Sequence, residues 1–479
     1  MSAGRGPRWT SGQVVVVGAS LAGLRAGEAL RQEGFTGDLT IVGAEPYAPY
    51  DLPPLSKGVL AGRTLAASTS LAQAPDLKAK WLLGVPASGL DTDAKTVTLA
   101  DGRVVPWDKA LIATGTRARP WPDPDQARLK GVFSVRNRDA AGALRTYLAA
   151  GPKRVLVIGG GFIGCEVASV CRELSLQVTL VERSSTPLSG AFGRTAGSFA
   201  AMIQRHFGVD LRCDTTVEAL EGDAEGRLTG ARLSDGDRVE AEIAVVALGA
   251  VRNIEWLAGS GLAADARGVV CDASCRVFDA EGIVTDDVYA AGDVARWPDS
   301  RWGGALLTVE HWSNAVEQAR TAAHNMVCAP SERRAHHPEM TFWSNQFGSN
   351  IKSVGLPAGA DQIAVTQGST GSASFAVVYG KEGRVVAAVT VNAPRYLDGY
   401  AALIGKPFPP QVNAADAPDP IEVLPADFPT PGERTNSPTA TSTGPGPTSG
   451  RPTPLVDPRR PARPTILRSG PELPPRGSA

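Results

Sequence analysis

Apolar residues along this chain gather in short, nearly unbroken runs separated by longer stretches of helical period. QVVVVG (13–18), LTIVG (39–43), ALIATG (110–115), RVLVIG (154–159), QVTLVE (177–182) and AVVALG (244–249) are such runs. Strands apolar on both faces belong in parallel sheets covered by helices, so the pattern predicts an α/β fold of the doubly wound kind. Most of the runs end in glycine just before a helix or crossover, where such sheets bind ligands. Residues 338–412 differ. There SFAVVYGKEGRVVAAVTVN (374–392) reads as two strands joined by a turn at Lys381, Glu382 and Gly383, which predicts a small antiparallel α+β domain. From about residue 413 proline dominates and aromatic residues nearly vanish, a composition unable to bury enough apolar surface to order itself. A disordered tail is expected over 413–479, with docking through the basic run RRPARP (459–464) as the alternative.

Two of the strand ends carry the chemistry of nucleotide cradles. After RVLVI, the sequence GGGFIG holds Gly159, Gly161, Phe162, Ile163 and Gly164. Its first motif glycine permits a tight turn, the second lets backbone approach a pyrophosphate, and the third packs helix on strand. QVTLVE then ends in Glu182, at the interval where a carboxylate accepts hydrogen bonds from an adenosine ribose. That carboxylate also repels a 2′-phosphate and so favours NADH over NADPH, tempered by the neighbouring Arg183. A tight turn that binds nothing is the plain alternative. The earlier stretch, GASLAG, departs from the pattern with Gly18, Ser20, Ala22 and Gly23. Serine at the close-approach position is a mild change, because its hydroxyl can donate to a phosphate at a helix N-terminus. Glu45, after the next strand, is the ribose candidate for this cradle, and a decayed copy of the fold is its alternative.

Composition narrows the partners. Across 479 residues, 43% are hydrophobic and 20% charged, with a formal net charge of -1. No global field therefore points to nucleic acid or to a membrane surface. No apolar run approaches the roughly 18 residues of a transmembrane helix. The first residues, MSAGRGPRWTSGQ, lack a secretory apolar core, so a cytoplasmic protein is expected. The six cysteines include no CxxC pair, and with the histidines they complete no zinc pattern, which suits unpaired thiols in a reducing compartment.

Five further segments carry a family likeness: YDLPPLSKGVL (50–60), ALIATGTRARP (110–120), VYAAGDVARW (288–297), EHWSNAVEQA (310–319) and FWSNQFG (342–348). With the cradles, they closely resemble the flavin-dependent ferredoxin reductases of bacterial oxygenase systems, the putidaredoxin reductase and biphenyl dioxygenase reductase type. These belong to the pyridine nucleotide-disulfide oxidoreductase superfamily but lack its redox disulfide. The resemblance spans residues 13 to about 412. It implies an FAD domain in two parts (11–120 and 251–337), an inserted NAD domain (121–250), an interface domain (338–412) and the tail outside. GASLAG would be the FAD cradle and GGGFIG the NADH cradle. An iron-sulfur ferredoxin is the implied partner, and monomers or weak dimers the implied state.

The likeness also assigns roles. Asp293, beside Gly292, would hold the ribityl chain, and the backbone of Glu310, His311 and Trp312 would face the flavin pyrimidine at the start of a helix. Ser313 reads as that helix's N-cap. His311 reads either as an acid-base group or as a structural histidine. Lys57 and Glu166 would form the pair that favours reduced flavin and orients nicotinamide. Trp343 would stand near the flavin face. Ala113, Thr114, Gly115, Arg117, Arg136 and Gly249 are lesser contacts. Two departures are Leu52, where many relatives carry arginine, and Asn345, where aspartate is common. Cys165, Cys271 and Cys275 match no redox position, so electrons would pass outward to ferredoxin. The competing readings are an NADH oxidase or quinone reductase, an apoptosis-inducing-factor-like NAD sensor, and a protein that lost FAD through Ser20. Steady-state kcat/KM with both nucleotides is expected to favour NADH by about tenfold or more, as a like-charge contact requires.

Overall fold

Gln13–Val17 lies between Asp38–Gly43 and Lys109–Ile112, parallel to both, with Val15 and Val16 fully buried. In the computed structural model, which describes residues 8–369, 373–410 and 423–428, this strand is at the heart of a six-stranded sheet. The order is Arg276–Phe278, Val284–Ala290, Lys109–Ile112, Gln13–Val17, Asp38–Gly43 and Lys80–Leu83. Segments more than 160 residues apart in sequence, around Ile112 and Ala290, thus pair side by side. Between them in sequence sits a second, five-stranded parallel sheet: Asp210–Arg212, Gln177–Val181, Arg154–Ile158, Ile243–Val246 and Val132–Phe133. Every apolar run read as a buried strand forms part of one of these two sheets. The chain is Rossmann-like twice over.

Helices cover the first sheet through apolar side chains, large and small. Leu21–Gln32 and Trp312–Val327 share a core with Leu24, Leu30, Ala319, Ala322 and Met326 fully buried. The second of these helices is capped by His311, not Ser313 as the sequence suggested. The His311 carbonyl accepts the first helical bond from Ala315 N–H, while the Ser313 hydroxyl donates to the Thr341 carbonyl and is spent there.

The third sheet is antiparallel and runs Thr341–Gln346, Ser349–Gly355, Arg384–Val391, Phe375–Lys381, Gln362–Gly368 and Val423–Pro425. Its Phe375–Lys381 and Arg384–Val391 strands are joined by Glu382 and Gly383, both left-handed at φ 50° and 72°, the conformation that a two-residue hairpin demands. The last strand corrects an expectation. Residues 423–428 fall inside the stretch read as a disordered tail, yet they add to the Gln362–Gly368 edge. Ala426 N–H donates to the Asp361 carbonyl, Arg194 N–H donates to the Asp427 carbonyl, and the two side chains pair at 3.1 Å. An open sheet edge supplies backbone partners, and Leu424, Ala426 and Phe428 pack against the adjoining core. The basic run 459–464 lies outside the described residues. Deleting residues 411–479 is expected to lower Tm by about 2–4 °C in calorimetry, with D427A giving a smaller fall.

Candidate functional site

Both cradles are built by backbone crowding. At Gly18 (φ 128°) an added Cβ would stand 2.0 Å from the Ala113 carbonyl oxygen, and at Gly23 one would stand 1.9 Å from the Gly18 carbonyl oxygen. The second cradle repeats the arrangement: a Cβ on Gly159 (φ 105°) would meet the Ala247 carbonyl at 2.5 Å, and one on Gly164 the Gly159 carbonyl at 1.9 Å. First and third motif glycines are therefore set by contacts inside the protein. Gly161 is different. It heads the Phe162–Glu173 helix with nothing within 4 Å of where a Cβ would point, open ground at a helix N-terminus, which favours an anion. Ser20 caps the Leu21–Gln32 helix by backbone only, its hydroxyl making no cap bond and lining the cavity.

The two carboxylates behind the cradles are held differently. Glu182 accepts Gly160 N–H on Oε2 and Ser184 N–H on Oε1, both at 2.7 Å, so it braces the glycine loop. Glu45 accepts the Tyr50 hydroxyl at 2.6 Å. Burial, with the Glu45 bond, pushes the Tyr50 phenol well up and keeps it a donor.

One cavity of about 1220 Å³ joins most of the residues singled out in the sequence. That exceeds the roughly 300–1,000 Å³ of a pocket for one small molecule. Its lining includes Gly18, Ser20, Ala22, Glu45, Lys57, Ala113, Thr114, Gly115, Arg117, Arg136, Gly161, Phe162, Ile163, Glu166, Gly249, Gly292, Asp293, Glu310, His311, Trp312 and Trp343. Gly23, Gly159, Gly164, Glu182 and Arg183 are not on its wall; Arg183 is exposed to solvent. Leu52 lines the cavity, whereas Asn345 is exposed elsewhere.

Inside, Lys57 Nζ meets Glu166 Oε2 at 2.7 Å, joining the turn after Pro53–Ser56 to the second cradle's helix. Arg136 reaches Asp293 at 3.1 Å and also donates to the Thr116 carbonyl. Gly292 N–H donates to the Gln318 side chain at 2.9 Å, so a residue on the Trp312–Val327 helix sets the bend before Asp293. Two lesser candidates have their polar groups engaged by protein: Thr114 donates to the Asn253 carbonyl and Arg117 pairs with Glu255 at 2.6 Å.

Aromatic rings close the cavity wall. Phe162 lies 4.2 Å from Phe342, which lies 5.3 Å from His311, and Trp312 meets Trp343 edge-on at 6.4 Å. Trp312 is anchored by donating to Asp51. Burial pulls the His311 imidazole down to about 4, against a smaller opposing pull from Asp293, so the ring is neutral near pH 7. Its buried Nδ1 has no hydrogen-bond partner among the described residues. A buried, unmatched ring nitrogen on a cavity wall suits a bound molecule with polar edges. Sequence reasoning missed Tyr50, Asp51, Ser56, Gln318 and Ser344. All five lay within the quoted motifs, and for Ser56 and Ser344 adjacency to Lys57 and to Trp343 was the available signal.

The model of the pyridine nucleotide-disulphide oxidoreductase family matches residues 12–319, and that of the reductase C-terminal family matches 341–423. The chain belongs to the pyridine nucleotide-disulphide oxidoreductase family. Within it, the chain is similar to rhodocoxin reductase of Rhodococcus erythropolis, 35% identical over 80% of this chain and 87% of the relative. It is 33% identical to putidaredoxin reductase of Pseudomonas putida, over 84% and 93% of the two chains. Among solved structures, the reductase in a covalent putidaredoxin reductase–putidaredoxin complex superposes with a TM-score of 0.76, at 31% identity over 83% of this chain and 94% of that one. Fdr9 gives 0.74, at 34% identity over 83% and 96%.

The residues present fit this family's two dinucleotides. Each cradle is cleared by glycine, each has a carboxylate behind it, and the space between them is continuous. A matched pair of variants separates the glycine roles. G161A is expected to leave Tm unchanged and to raise the NADH Kd about tenfold, because its Cβ intrudes only on ligand space. G164A is expected to cost about 3 kcal/mol of stability by forcing the turn apart, seen as a lower Tm before any ligand is added.

Proposed function

We propose that this chain is an NADH-dependent, FAD-containing ferredoxin reductase, passing electrons from NADH to an iron-sulfur ferredoxin that serves an oxygenase. The Lys57–Glu166 pair carries the reading, because it stands in the space shared by the two cradles, where both cofactors would meet. Bound FAD would supply the conversion between electrons taken as a pair and electrons released singly.

The chain's own groups then have defined tasks. GASLAG and Asp293 would hold FAD, with Gly292, Trp312 and Trp343, while GGGFIG and Glu182 would hold NADH. The Lys57 ammonium and the N-terminal end of the Trp312–Val327 helix bring positive potential into the cavity, which favours an electron-rich ring. Glu166 fixes the ammonium in place. His311 is neutral here, which supports a structural and hydrogen-bonding part rather than an acid-base one.

Among the described residues no cysteine lines the cavity. All six are free, and burial pushes the Cys165 and Cys271 thiols well up and that of Cys171 to about 12, so they are poor nucleophiles. With no thiol in reach, an external protein acceptor is the natural exit. A similar reductase has been solved in covalent complex with putidaredoxin, which supports a protein partner here. A cytoplasmic setting completes the proposal; free thiols support it, and no helix among the described residues is long and apolar enough to cross a membrane.

Anaerobic NADH is expected to bleach the flavin absorption of the purified protein, with colour returning when an oxidised ferredoxin is added. K57A and E166Q are each expected to slow the bleaching about tenfold or more. Rapid oxygen consumption without any protein acceptor would instead favour an NADH oxidase.

A further inference from the structure

Glu166 is 2% exposed and accepts three donors from two distant parts of the chain. Oε2 takes Lys57 Nζ at 2.7 Å and the Ser56 hydroxyl at 2.5 Å. Oε1 takes the Ser344 hydroxyl at 2.6 Å. Ser344 belongs to the first strand of the third sheet, far in sequence from both cradles, and is itself fully buried.

A hydroxyl has one proton, so its aim depends on what it accepts. Gln346 Nε2 donates to Ser344 Oγ at 3.2 Å, which leaves the serine proton for Glu166. The strand is also seated along the second cradle's helix. Phe162 packs on Phe342, Glu166 bonds Ser344, and Ser169 accepts the Phe347 N–H at 2.7 Å. One helix face, at i, i+4 and i+7, thus meets alternate positions of the strand and its end.

We propose that Ser344 is a positioning residue for hydride transfer, holding one oxygen of Glu166 so that the other stays on Lys57. This rests on the reading of Lys57 and Glu166 given above. Ser344 would undergo no covalent change; bound FAD would supply the acceptor for the whole hydride given up by NADH, proton and electron pair together, leaving NAD⁺. Without the serine hydroxyl, Oε1 is a buried anionic oxygen lacking a donor, a costly state that carboxylate rotation toward Ser56 and Lys57 would relieve. That rotation changes the direction in which the ammonium is held.

The test uses the FAD-loaded full chain. S344A is expected to lower the limiting rate of flavin reduction by NADH about tenfold, with the NADH Kd from fluorescence titration within about twofold of wild type. S344T is expected to restore the rate. Q346A keeps the hydroxyl and removes only the amide that aims it, and is expected to slow reduction about threefold. A crystal structure of S344A is expected to show the Glu166 carboxylate turned and its contact with Lys57 altered. Wild-type rates in S344A and Q346A beside a slow E166Q would overturn the proposal and leave the Glu166 reading standing. A wild-type rate in E166Q would remove that reading itself, and an unturned carboxylate in S344A would sink the positioning role.

Discussion

Burying the Glu166 carboxylate is the constraint around which the site is organised. An ionised carboxylate nearly removed from water is tolerated only when every oxygen finds a donor, and loss of one partner from such a pair typically costs about 3–5 kcal/mol. Here the donors come from Ser56 and Lys57, at the end of the Pro53–Ser56 turn, and from the strand Thr341–Gln346, while the carboxylate rides on the Phe162–Glu173 helix. Satisfying one charge therefore ties the second cradle to the segment behind the first cradle and to the third sheet. The Phe162–Phe342 and Ser169–Phe347 contacts extend the same seam.

The cradles obey a different rule, that of excluded volume. In each, the third glycine lets a carbonyl from the first come within contact of a helix, so the strand-turn-helix unit closes without a side chain between. What remains open is the space at Gly161 and at Ser20. That division explains why Ser20 is accommodated at its position while a side chain at Gly23 or Gly164 would not be. The neutral His311 and Glu45, held by the Tyr50 hydroxyl, belong to the cavity wall, while Glu182 braces the second glycine loop behind it.

The buried strands, the two glycine turns and the hairpin at Glu382 and Gly383 were legible in the sequence, because each is decided by local sterics or by apolar period. So was the family, through motifs whose residues sit close together in the chain. Three matters were not legible. The cap of the Trp312–Val327 helix is His311 because Thr341, brought near only by folding, claims the Ser313 hydroxyl. Residues 423–428 are ordered because an open sheet edge offers them partners, something their composition does not reveal. Arg117 faces Glu255 across a rim formed by segments more than 100 residues apart.

By itself, then, the sequence determined which elements form and which two turns can receive a dinucleotide, since these depend on neighbours within a few residues. Only the tertiary structure decided which donors surround Glu166, where the cavity runs, and that a serine of the third sheet reaches that carboxylate. The physical reason is range: backbone conformation answers to adjacent side chains, whereas the satisfaction of a buried charge is settled among groups that meet only once the chain has folded.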